Sequence, residues 1–123
     1  MRKKVLIVDD ERSVREALRE KLEKEGIEPI FAVDGEEGLR VCAEKNPDLI
    51  LLDIIMPKMD GITMLRELRK TKLGKNMPVI ILTNLSDAEK VEASIAGGVM
   101  DYLVKADWKI SDLITRVKSR LGM

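Results

Sequence analysis

The chain has no histidine and no glutamine, one cysteine, and one each of Phe31, Tyr102 and Trp108. Without histidine, a zinc site or a histidine general base is excluded, and a lone Cys42 can form no internal disulfide. Any chemistry falls to carboxylates, lysine, threonine or a bound ion. Charge of one sign is missing too: 22 basic residues balance 22 acidic ones. No basic field is present to neutralise phosphates, so nucleic acid is not an expected partner. Long apolar runs are also absent from the N-terminus, where MRKKVLIVDD carries only Val5 to Val8 before it meets acids. Neither a secretory signal nor a membrane span is expected, and a cytoplasmic location is.

What is present is compatible with one domain and one core: 123 residues, 45% apolar and 36% charged. The charge is mostly Lys, Arg and Glu, a bias that resembles thermophile surfaces, where ion-pair networks gain value with temperature. Val5 to Val8, Leu49 to Leu52 and Val79 to Leu82 are unalternated apolar runs, as strands buried on both faces should be. Between them the spacing turns helical. Val14, Ala17, Leu18 and Leu22 form one stripe before Gly26, and Ile110, Leu113, Ile114, Val117 and Leu121 form another. Shorter helical stretches fit 35–45, 61–71 and 87–96, and weaker strands fit Pro29 to Ala32 and Met100 to Val104. Five strand-then-helix repeats predict an α/β fold, a parallel sheet of five strands covered on both faces by five helices. No linker or low-complexity tract interrupts residues 1–123, so a single domain without an attached output module is expected.

Open sheets of this kind bind ligands at the carboxyl ends of their strands, where successive connections leave in opposite directions. Four of the five predicted strands end on polar residues: the first on Asp9 and Asp10, the third on Asp53, the fourth on Thr83 and the fifth on Lys105. If the first and third strands are neighbours, Asp9, Asp10 and Asp53 converge, and two carboxylates ~4 Å apart repel by roughly 4 kcal/mol at an effective dielectric of 20. A shared proton could offset this, but three oxygen ligands match Mg²⁺, which keeps waters and bridges carboxylates to phosphate. One carboxylate could then act as a nucleophile and form an acyl phosphate, with Lys105 neutralising phosphoryl oxygens and the Thr83 hydroxyl donating to another.

The stretches VLIVDDE, DLILLDIIMPKMDG, VIILT and DYLVK together resemble the signature of response-regulator receiver domains of two-component signalling, over essentially the whole chain. The resemblance implies a flavodoxin-like, doubly wound sheet of order 2-1-3-4-5, in the stand-alone chemotaxis-type form. It implies that Asp53 accepts a phosphoryl group from a histidine kinase, a histidine phosphotransfer protein or a small phosphodonor. Asp10, Asp53 and the backbone carbonyl of Ile55 would ligate Mg²⁺, Asp9 would hold a metal water, and no organic cofactor is expected. Thr83 and Tyr102 match the switch pair, and an unknown downstream protein would bind around residues 86–120. Such a chain is no enzyme beyond its own phosphorylation and dephosphorylation.

Plainer readings stand beside these. Asp10 alone reads as an N-cap for the first helix, Asp60-Gly61 as a turn and a cap for the next helix, and Met56-Pro57 as shaping the loop after Asp53, neither with a chemical role. Lys105 and Tyr102 in isolation would be a surface charge and a sheet residue; Phe31 and Trp108 read as packing. Rival functions are weaker. A Mg²⁺-dependent aspartyl phosphatase or phosphotransferase of the haloacid-dehalogenase type resembles a DxD pattern, and Ile55 stands at its second acid. A flavodoxin-like cofactor binder would need a phosphate loop where DDERSV lies. A pseudo-receiver would not keep the full acid, threonine and lysine set.

Two departures from the family carry consequences. Ala106 follows Lys105 where the family usually has proline. A cis bond there would cost ~3–4 kcal/mol, so a trans bond with Lys105 re-aimed is expected. Gly97-Gly98 reads as a helix stop. Ile55 and Leu85 are apolar where fast-hydrolysing members place side chains that orient water. The acyl phosphate of the purified protein should therefore persist well beyond seconds, and Leu85→Glu should shorten its lifetime; loss within seconds in the unsubstituted chain would contradict this.

Overall fold

The computed structural model describes residues 2–54, 56, 58–83, 101–104 and 109–123. Among these, β1 (Lys4–Val8), α1 (Arg12–Lys24), β2 (Glu28–Ala32), α2 (Gly35–Lys45), β3 (Leu49–Asp53), α3 (Gly61–Arg69), β4 (Val79–Thr83), β5 (Asp101–Val104) and α4 (Ile110–Leu121) follow in chain order. The strands pair in parallel in the order β2-β1-β3-β4-β5. Four helices lie among the described residues; the helical stretch expected at 87–96, Gly97-Gly98 and Trp108 lie outside them.

Side-chain alternation along the strands divides the core into two layers. Leu6, Val8, Ile50, Leu52, Val79 and Ile81 pack with Val41 and Cys42 of α2 and with Met64, Leu65 and Leu68 of α3. Val5, Ile7, Leu49, Leu51, Ile80 and Leu82 face the opposite way, onto Leu18 and Leu22 of α1 and Leu113, Ile114 and Val117 of α4. The unalternated apolar runs are thus explained: both faces of the central strands are covered. β2 differs, since only Ala32 is buried along it. It is a sheet edge, where Pro29, which cannot donate to a ladder, is tolerated. Phe31 packs against the second layer from there.

Helix α1 connects β1 to β2 on one face, and α2 connects β2 to β3 on the other. The two connections leave in opposite directions, so the crevice between β1 and β3 is the switch point of the sheet. Several predicted boundaries shift by a residue or two. Strands β1 and β2 begin a residue early at Lys4 and Glu28, β3 and β4 end a residue late at Asp53 and Thr83, β5 begins at Asp101, and α3 ends at Arg69 rather than 71. The Thr71 hydroxyl donates to Leu68 O at 2.7 Å and accepts from Gly74 N–H at 2.8 Å. That turn closes the helix, and Arg69 Nη1 secures it by donating to the Gly74 and Met77 carbonyls, both at 2.7 Å.

Cys42 is buried on the core-facing side of α2, and burial pushes its thiol above the ordinary range, so it acts as a small apolar side chain. The most enclosed layer is the sheet itself, with Leu51 fully inaccessible. Leu51→Ala should lower unfolding stability by about 2–5 kcal/mol, read as the midpoint shift in urea; a loss under about 1 kcal/mol would mean that the layer can collapse around the void.

Candidate functional site

Two adjacent parallel strands, β1 and β3, deliver the acidic residues to one place. Val8 of β1 is level with Leu52 of β3, so the next residues along, Asp9 and Asp53, emerge side by side at the switch point. Asp9 extends β1 by one rung, its N–H donating to Ala32 O at 3.1 Å. Asp53 is the last residue of β3 and lies level with Leu82 of β4. Both side chains are buried, Asp9 at 0% and Asp53 at 5% exposure, whereas Asp10 is exposed. Carboxylate oxygens of Asp9, Asp10 and Asp53 lie within 4.8 Å of one another.

The plainer reading of Asp10, as an N-cap, does not hold. Glu11 caps α1, without a side-chain hydrogen bond, and its N–H donates to Asp9 Oδ1 at 2.9 Å. Asp9 therefore serves the first turn of α1 while Asp10 stays with the cluster and faces solvent. Arg15, one turn along α1, donates through Nη1 to the Asp9 carbonyl at 2.8 Å. This holds the strand end on which both acids depend.

The remaining expected residues are described in part. Thr83 closes β4 level with Val104, and Tyr102 lies level with Ile81; their side chains are outside the description. Ile55, Leu85, Lys105 and Ala106 fall outside the described residues, and with them the Lys105–Ala106 bond.

Asp60 caps α3 as expected, accepting from Thr63 N–H at 2.8 Å. Gly61 does more than turn the chain. Its N–H donates to Ile54 O at 2.8 Å, and a Cβ on it would sit 2.2 Å from Asp53 O and 2.9 Å from Ile54 Cα. Only glycine lets α3 start this close to the end of β3. The sequence signal, Asp-Gly before a helical stripe, was read as a turn; the close approach needs the third dimension. Asp34 was not singled out either. It is buried, caps α2 by accepting from Glu37 N–H at 2.8 Å, and Glu37 reaches back to Val33 N–H at 3.1 Å. The Asp34 to Glu37 spacing is a capping-box signature that could have found it.

An open parallel α/β sheet with an acid cluster at its switch point is the form of a receiver domain. Residues 5–118 match the response regulator receiver domain family, and the chain belongs to it. Receiver domains are the signalling switches of two-component systems and are not generally classed as enzymes. Response regulator MprA of Mycolicibacterium vanbaalenii is 36% identical over 118 residues, which are 96% of this chain and 50% of that protein. The chain thus spans about half the length of the curated relatives it matches. Among solved structures, a response regulator from Chloroflexus aurantiacus superposes with a TM-score of 0.90 at 33% identity, covering 100% of both chains. The receiver domain of a sensor histidine kinase from Pseudomonas aeruginosa, at 26% identity, TM-score 0.89 and 100% coverage of both, holds a magnesium ion in its active-site cleft. No helix among the described residues is long and apolar enough to cross a membrane.

The two residues at the start of α3 should separate cleanly on substitution. Asp60→Ala should cost about 1 kcal/mol, the worth of one cap, while Gly61→Ala should cost more because its clash is with main chain that cannot rotate away. Urea midpoints for the pair provide the check, and equal losses would contradict the close-approach argument.

Proposed function

We propose that this chain is a phosphorylation-activated switch in which Asp53 accepts a phosphoryl group. The donor is the histidine of a partner kinase or phosphotransfer protein, or a small phosphodonor. A carboxylate oxygen of Asp53 forms the new P–O bond as the P–N bond to the donor histidine breaks, the electron pair leaving with the imidazole. The observation that carries the reading is the convergence of three carboxylates at the mouth of the sheet, two buried and one open to solvent.

That donor set consists only of hard oxygens, which suits Mg²⁺ and no soft metal, and exposed Asp10 leaves a side for the ion to enter. Asp9, Asp10, Asp53 and the main-chain carbonyl of Ile55 are its proposed holders. When bound, the ion would offset the crowded negative charge and attract phosphate oxygens. The chain's own groups do the rest. Burial holds Asp53 in one orientation, Lys105 neutralises a phosphoryl oxygen, and the Thr83 hydroxyl donates to another.

Adding a doubly charged group at Asp53 is a local charge event that biases a two-state element. In this reading Thr83 moves onto the phosphoryl group, Tyr102 follows it inward, and the surface around 86–120 changes for a downstream protein. The full doubly wound form, with a fifth helix across 87–96 and residues 1–123 acting as one receiver unit, belongs to the same proposal. So do a cytoplasmic site of action and the absence of a nucleic-acid partner, both argued from balanced charge and lack of apolar runs.

Incubation with Mg²⁺ and acetyl phosphate should add one phosphoryl group to the intact mass, and Asp53→Ala should abolish the addition. An adduct that survives Asp53→Ala would refute the assignment, and steady release of phosphate without an adduct would favour a phosphatase instead.

A further inference from the structure

The loop that leaves Asp53 is pinned at its far side as well as at its ends. Gly35, the first residue of α2, donates its N–H to the Met59 carbonyl at 3.0 Å. A Cβ at position 35 would lie 2.6 Å from that carbonyl oxygen, 2.9 Å from Met59 Cγ and 3.0 Å from Met64 Cβ. Gly35 is not among the residues with positive φ. Space, not backbone conformation, requires glycine there.

The neighbouring contacts lead to the same seam. Asp34 uses Oδ1 to cap α2, and its Oδ2 lies 4.0 Å from Lys58 Nζ. Lys58 has φ 64, and a non-glycine residue stays in that region only where its surroundings over-determine it. One turn along α2, a Cβ on Gly38 would meet Met64 Cε and Sδ at 2.9 Å. Helix α2 therefore presents Gly35 to the segment that carries the chain from Asp53 to α3, and Gly38 to Met64 of α3 itself.

We propose that Gly35 is a positioning residue for the acidic site: its N–H and bare Cα seat the Met59 carbonyl, and that seat fixes the loop following Asp53. The inference rests on the magnesium reading above. Between the pin at Gly61 and the pin at Gly35 runs the stretch that begins with Ile54 and includes the donor carbonyl assigned to residue 55. With the Met59 pin released, the chain leaving Asp53 keeps the Gly61–Ile54 anchor and loses the one from α2, and the cost of restoring that anchor falls on metal binding. Coupling of this kind is reciprocal, so metal binding must also strengthen the Gly35–Met59 bond.

Calorimetric titration of the full chain with MgCl₂ tests it. Gly35→Ala should bind about threefold to tenfold more weakly than the unsubstituted chain, the ratio that the net worth of one hydrogen bond sets. Leu22→Ala, which weakens the opposite core layer, should leave the affinity unchanged although it lowers thermal stability. Equal affinity in Gly35→Ala overturns the proposal, while no magnesium uptake by the unsubstituted chain overturns the metal reading beneath it before any variant is compared. Should Gly35→Ala fail to fold, amide exchange in the unsubstituted chain decides. Saturating Mg²⁺ should slow exchange at Gly35 by a similar factor, and an exchange rate indifferent to bound Mg²⁺ overturns the proposal.

Discussion

Buried carboxylates held side by side are the constraint around which this fold is arranged. Asp9 and Asp53 stand on adjacent parallel strands, so the ladder between β1 and β3 brings their charges together whether or not the electrostatics favour it. A pair of ionised groups this close is unfavourable in a low-dielectric setting. Two fully covered core layers hold the strands against that repulsion. Stability and function pull in opposite directions at this edge, and the hydrophobic layers are what let the edge keep its charge.

The same economy of space governs the loop after Asp53. Gly61 at one end and Gly35 at the tip let main chain approach main chain at distances that a Cβ would forbid. A site assembled from strand ends needs its connecting loops rigid, because each loop contributes atoms to the rim. Here the close approaches come from absent side chains, and caps at Asp34 and Asp60 anchor the helices on either side. Lys58, left-handed and near Asp34, marks where the loop departs from relaxed geometry.

Much of this was legible in the residues. The runs at 5–8, 49–52 and 79–82 read as buried strands because both of their faces are covered, and the structure extends each by only one residue. The helix at 35–45 begins and ends where its spacing predicts, since a strong cap at Asp34 and a left-handed Asn46 bound it. Less legible was the start of α1. Asp10 is a good N-cap by residue type, yet Glu11 occupies the cap because the Asp9 carboxylate already takes its N–H. Arg15, Gly35 and Gly61 escaped notice as site-supporting residues because their partners, the Asp9 carbonyl, Met59 and Asp53, are reached only through the packed fold.

The order of apolar and charged residues alone determined that the chain forms alternating strands and helices with acids at the strand ends. Hydrophobic periodicity and capping act over a few neighbours, and a one-dimensional pattern records them in full. Which acids meet, and how closely, was decided by tertiary structure. Strand β1 pairs with β3 as well as β2, and that non-local choice places residue 53 beside residue 9. Distances between segments far apart in the chain depend on how whole layers pack, and no local propensity contains them.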